Sequence, residues 1–143
     1  MTVRKSPPTH GQIVQYWIAA ERAGIPHPWG WFDWGEPGCF ACGLYDPDAP
    51  AWDDAWKESD YRIRALWNAH HHYLDRCHVI PKCRGGSLDP SNFVLLCSEC
   101  HRVSPEGDEP ENLFRWMREC SGSVQLVHWT VFAQMLKEEV RDA

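Results

Sequence analysis

The sequence predicts an α+β fold: a strand, a loop, a second strand and a short helix at its centre, stapled by four cysteines and flanked by helices. Three observations carry this expectation. Two C-x-x-C pairs, Cys39/Cys42 and Cys97/Cys100, have the spacing of metal knuckles. Two runs rich in β-branched and aromatic residues, 73–80 and 92–96, bracket a Gly- and Pro-containing loop, PKCRGGSLDPS. On both sides of that unit apolar residues recur with helical period.

Taken in order, Thr9 and Gln12 form a capping box in front of Ile13, Tyr16, Trp17 and Ala20, predicting an N-terminal helix within residues 9–25 that stops near Gly24 and Pro26. The stretch up to Pro50 is dense in Gly, Pro and aromatics, which favours turns and holds the first knuckle. Trp52, Trp56, Ile63 and Trp67 share one helical face, predicting a helix over 51–68, with Ser59 and Asp60 interrupting the stripe. Residues 97–103 have room for a short helix before Pro105 ends it. After an acidic linker, Leu113, Phe114, Trp116 and Met117 mark one helix, and a last is expected over about 129–140. The 143 residues suit a single domain, with 110–143 a C-terminal helical extension.

A hydrophobic fraction of 43% with nine tryptophans excludes global disorder. No run approaches the roughly 20 apolar residues a membrane span needs, and the N-terminus lacks a signal pattern. A soluble, cytoplasmic protein is expected. Seven cysteines, an odd number, four of them in paired knuckles, read as metal ligands in a reducing compartment. Cys39, Cys42, Cys97 and Cys100 are therefore expected to hold one structural Zn²⁺ through four soft thiolates. Fifty-four residues separate the knuckles, so an inserted element must lie between them.

Residues 74–105, LDRCHVIPKCRGGSLDPSNFVLLCSECHRVSP, resemble the HNH endonucleases. His78, Pro81, Gly85-Gly86, Asn92, Leu95-Leu96-Cys97 and Cys100-His101 follow that family's motif in order. The resemblance extends over about 37–105 and implies a ββα-metal core, a nuclease acting on DNA, most readily the double-stranded form, and a catalytic set of His78, Asn92 and His101. His78 would be the general base, an imidazole suited by its unperturbed pKa near 6.5. Asn92 would brace the loop that carries it. His101 would ligate one catalytic divalent metal, Mg²⁺, Mn²⁺ or Ni²⁺, acting as a Lewis acid at the phosphate and leaving 3′ oxygen.

One position departs from the family pattern. Many members have Asp or His directly before the base, where this chain has Cys77. A thiolate is a poor partner for Mg²⁺, and Asp75, two residues earlier on the same strand face, is the preferred second ligand, with Cys77 the alternative. Arg76, Lys82, Arg84 and Arg102 are the expected nucleic-acid contacts. The net charge of −6 runs against a nucleic-acid binder, yet residues 62–102 carry six Lys or Arg against three Asp or Glu, a local +3. A non-catalytic zinc module that binds nucleic acid or protein is the alternative on the same scaffold, and a structural subunit of a larger assembly is a third.

The triplet His70-His71-His72 is read as a solvated helix end, because consecutive side chains diverge. Trp29, Trp31 and Trp34 are read as packing around the first knuckle, and Cys83 and Cys120 as ordinary side chains.

Overall fold

A computed structural model describes residues 6–25, 34, 37–44, 59–69, 72, 74–105, 107 and 109–120. Their elements follow the order α1 (His10–Arg22), α2 (Asp60–Ala69), β1 (Leu74–His78), β2 (Phe93–Cys97), α3 (Ser98–Val103) and α4 (Pro110–Cys120). It is a mixed fold of helices around a small antiparallel two-stranded sheet. The helix expected at 129–140, the stripe residues Trp52 and Trp56, and Trp29, Trp31, His70 and His71 lie outside the described residues.

α1 begins on the expected capping box. Thr9 Oγ1 accepts from the Gln12 amide at 3.2 Å, and Gln12 Oε1 accepts from the Thr9 amide at 2.9 Å. Its apolar face, Ile13, Val14, Trp17 and Ile18, is buried, and the helix ends where Gly24 takes a left-handed φ of 83°. α2 starts later than the stripe suggested. Ser59 Oγ accepts from the Arg62 amide at 3.3 Å, so Ser59 caps the helix that begins at Asp60.

α1 and α2 approach closely at Gly11. A Cβ there would meet the Arg64 carbonyl oxygen at 2.6 Å, so only glycine fits, and the Gly11 amide donates to Asn68 Oδ1 at 2.8 Å. α1 is also tied to both strands by single polar contacts. His10 Nε2 donates to the Leu74 carbonyl at 2.8 Å, and buried Trp17 Nε1 donates to the Phe93 carbonyl at 2.9 Å.

In the sheet Leu74 faces Cys97 and His78 faces Phe93. All five residues of β2 are buried, as the run FVLLC requires of a strand covered on both faces. β1 departs from strict alternation: Leu74 and Cys77 are buried, Asp75 and Arg76 exposed. Beyond β2 the core is aromatic. Trp67, with no exposed surface, packs against Trp34 and Phe40 and donates through Nε1 to the Trp34 carbonyl at 2.9 Å. α4 closes this side with Leu113, Met117 and Cys120 buried, and Phe114 meets Trp17 edge-on.

Candidate functional site

The knuckle at residues 39–42 is built by a tight turn. Gly43, with φ 80°, donates to the Cys39 carbonyl at 2.9 Å, and the Leu44 amide points at Cys42 Sγ. The Phe40 amide donates to the Leu95 carbonyl at 2.8 Å, laying the knuckle along β2 and bringing it to Cys97 and Cys100 at the β2–α3 junction. All four cysteines are buried, and their sulfurs lie within 4.8 Å of one another. A tetrahedral ion with Zn–S bonds of about 2.3 Å sets neighbouring sulfurs about 3.8 Å apart. Cys42 Sγ and Cys97 Sγ are 3.8 Å apart.

Electrostatics point the same way. Contacts from Cys100, Cys39 and Cys42 hold the Cys97 thiol far below its ordinary range, while those from Cys39, Cys42 and Cys97 push the Cys100 thiol far above. Packed together, the four cannot all ionise unless a cation sits among them, and a bound Zn²⁺ would supply that charge. Of the remaining cysteines, Cys83 is exposed, and burial, followed by the nearby Cys39, pushes the Cys120 thiol up. Trp34 packs edge-on against Phe40 of the knuckle, as expected of that tryptophan.

Asn92 ends a 3-10 turn, Pro90–Asn92, just before β2. Its Oδ1 accepts from the Ile80 amide at 2.8 Å, and its Nδ2 donates to the Ile80 and Ser87 carbonyls at 3.0 and 2.9 Å. One side chain thus closes the loop that leaves β1. The two glycines have separate reasons. Gly85 holds φ at 84°, after the turn Lys82–Arg84, and a Cβ on Gly86 would fall 1.8 Å from the Ile80 carbonyl oxygen and 2.9 Å from Asn92 Nδ2.

His78, at the end of β1, packs its imidazole on Phe93 directly opposite, with centroids 4.5 Å apart. Its Nε2 is buried and has no hydrogen-bond partner among the described residues. Burial, followed by the charges of Arg76, His101 and Lys82, lowers its pKa below the ordinary histidine value and favours the neutral ring. His101, on α3 next to Cys100, bonds through Nδ1 to Asp75 Oδ2 at 3.2 Å, with both side chains nearly half exposed.

The structure therefore brings Asp75 and His101 together, with His78 within reach of His101's charge. It does not bring Cys77 to them: that side chain is buried, its thiol directed at the His78 carbonyl at 3.6 Å. Arg76 Nη1 donates to the Pro8 carbonyl at 2.9 Å, Arg102 is paired with Glu99 at 2.6 Å, and Lys82 and Arg84 are exposed on their turn. His72, the described member of the triplet, is exposed. Phe93 was not singled out as a site residue. Its signal is positional, since it follows Asn92 at the start of β2 and so lies across from the strand's terminal histidine.

Residues 66–104 match the family model of the HNH endonucleases, a span holding the end of α2, both strands, the glycine loop and α3. No curated protein and no solved structure matches the chain. No described helix is long and apolar enough to cross a membrane.

Proposed function

With an HNH endonuclease match over residues 66–104 as the premise, we propose that this protein hydrolyses phosphodiester bonds in DNA with one catalytic divalent metal and His78 as general base. The observation that carries the reading is the buried, unpartnered Nε2 of His78 on a strand whose outgoing loop is clamped by Asn92. A polar atom left unsatisfied costs stability, and such an atom within electrostatic reach of His101 suits a proton acceptor.

His78 would take a proton from a water as that water's oxygen bonds to phosphorus and the bond to the 3′ oxygen breaks. Its lowered pKa keeps the ring neutral at neutral pH, the form able to accept. The metal, when bound, supplies Lewis-acid stabilisation of charge on the phosphate and leaving oxygen. His101 Nδ1 and Asp75 Oδ2, 3.2 Å apart, are the donors that would hold it between them. Two protein donors leave positions for phosphate and water, the manner in which Mg²⁺ is commonly held. Cys77 is set aside as a ligand because its sulfur is in the core. Lys82, Arg84, Arg76 and Arg102 would hold phosphates of double-stranded DNA, with zinc on the four cysteines as structural support. We take residues 37–105 as the nuclease core.

The test is plasmid nicking with Mg²⁺, Mn²⁺ or Ni²⁺ by the wild type and His78→Ala. A general base contributes roughly 10² to 10⁴-fold in rate. His78→Ala is expected to lose a factor of that order while keeping zinc content, melting behaviour and DNA affinity. Unchanged cleavage removes His78 as base, and a wild type inactive with every metal leaves the non-catalytic binding module as the reading.

A further inference from the structure

One cleft outside the residues assigned above is lined without a carboxylate, although the chain has 20 Asp and Glu against 14 Lys and Arg. Gln12, Gln15 and Tyr16 of α1 form one wall, Arg64 of α2 another, and Leu88 and Pro90 a third, around about 500 Å³. Tyr16 is 40% exposed, with its ring braced by a T-shaped contact with Trp17. A braced, exposed ring offers a stacking surface at small entropic cost. Arg64 has its backbone packed on Gly11 and makes no ion pair among the described residues. Gln12 uses its oxygen in the cap and retains its amide donors.

The cleft borders the proposed catalytic loop on two sides. Pro8, also in its lining, accepts the hydrogen bond from Arg76, two residues before His78 on β1. Pro90 opens the turn that ends at Asn92. An aromatic face, a cation and amide donors with no carboxylate match the chemistry of a nucleobase with its phosphate.

We propose that this cleft is a subsite for one unpaired nucleotide of the substrate strand, its base stacked on Tyr16 and its phosphate paired with Arg64. The inference rests on the reading of the protein as nucleic-acid-directed. Base stacking supplies affinity with little dependence on salt, whereas each phosphate contact adds about 0.7 to the salt slope on single strands.

The test is binding of a fluorescent single-stranded DNA 12-mer to the zinc-loaded full chain, without added catalytic metal, over a salt series. Tyr16→Ala is expected to weaken binding roughly tenfold or more with the salt slope kept, and Tyr16→Phe to retain affinity. Arg64→Gln is expected to weaken binding and lower the slope by about 0.7. Melting curves accompany each variant, and if Tyr16→Ala does not fold, the Arg64→Gln slope decides. Wild-type binding that Tyr16→Ala leaves within about twofold and Arg64→Gln leaves with the same slope overturns the subsite, as does a wild type that binds no oligonucleotide. Plasmid cleavage with unaffected variants overturns the subsite and leaves the nuclease reading. Variant-sensitive binding without cleavage does the reverse.

Discussion

Asp75 and Cys77 differ in burial, although strand periodicity puts them on one face. Asp75 is about half exposed and bonded to His101, whereas Cys77 is 6% exposed with its thiol on a backbone carbonyl. Asp75→Ala is therefore expected to reduce cleavage strongly. Cys77→Ala is expected to leave cleavage near wild type and to lower stability by about 1 kcal/mol, the scale of one small buried apolar group. Nicking rates and melting curves of both variants check this, and the reverse pattern would return the ligand role to Cys77. The difference in burial was not legible beforehand. Hardness of the metal and period-two spacing both favoured Asp75, but no sequence pattern shows that β1 breaks its alternation and sends Cys77 inward.

At the scale of elements, the loop from Val79 to Asn92 is held by one side chain, and its glycines set the tolerance for change. Gly86→Ala would drive a methyl into the Ile80 carbonyl and the Asn92 amide. Overpacking of this kind costs about 1–3 kcal/mol or more, and here it opens the clamp behind His78. Reduced stability and reduced cleavage with zinc content unchanged are expected. Gly107→Ala, with nothing among the described residues within 4 Å of the added carbon, is the silent control. Elemental analysis, melting and nicking rate together check the pair. The Gly-Gly pair, Asn92 and the knuckle spacing were visible in the sequence because each imposes a local chemical demand. The start of α2 was visible too, in Ser59, but a cap residue inside an apolar stripe reads equally as an interruption. The ties from His10 and Trp17 to the strands were not visible, since each is one N–H meeting a carbonyl more than sixty positions away.

In the whole molecule the four clustered cysteines come from three separate parts of the chain. Cys97 ends β2 opposite Leu74, Cys100 lies in α3, and Cys39 and Cys42 hold the knuckle against Trp34. Structural zinc contributes folding free energy directly, so Cys39→Ser or Cys97→Ser is expected to lose cooperative melting along with the metal. A zinc-free chain that still melts cooperatively would refute this. The charge distribution also matters at this scale: the acidic total of −6 coexists with a site segment of +3, so the proposed DNA contacts depend on placement and not on overall attraction.

His101 follows Cys100 without an intervening residue, so the proposed catalytic-metal pair would sit beside the proposed zinc site, and the two would differ in how fast they lose their ions. An ion held by an exposed Asp–His pair exchanges freely with solvent, whereas one enclosed by four buried sulfurs leaves only when the backbone opens. Under a chelator the wild type should lose activity in two phases. The first is fast and is reversed by adding back Mg²⁺ or Mn²⁺. The second is slow, tracks zinc release, and is not reversed by those ions, because without the knuckle α3 no longer aims His101 at Asp75. A history of chelation would thus be recorded in the protein as the fraction of activity that magnesium alone fails to restore.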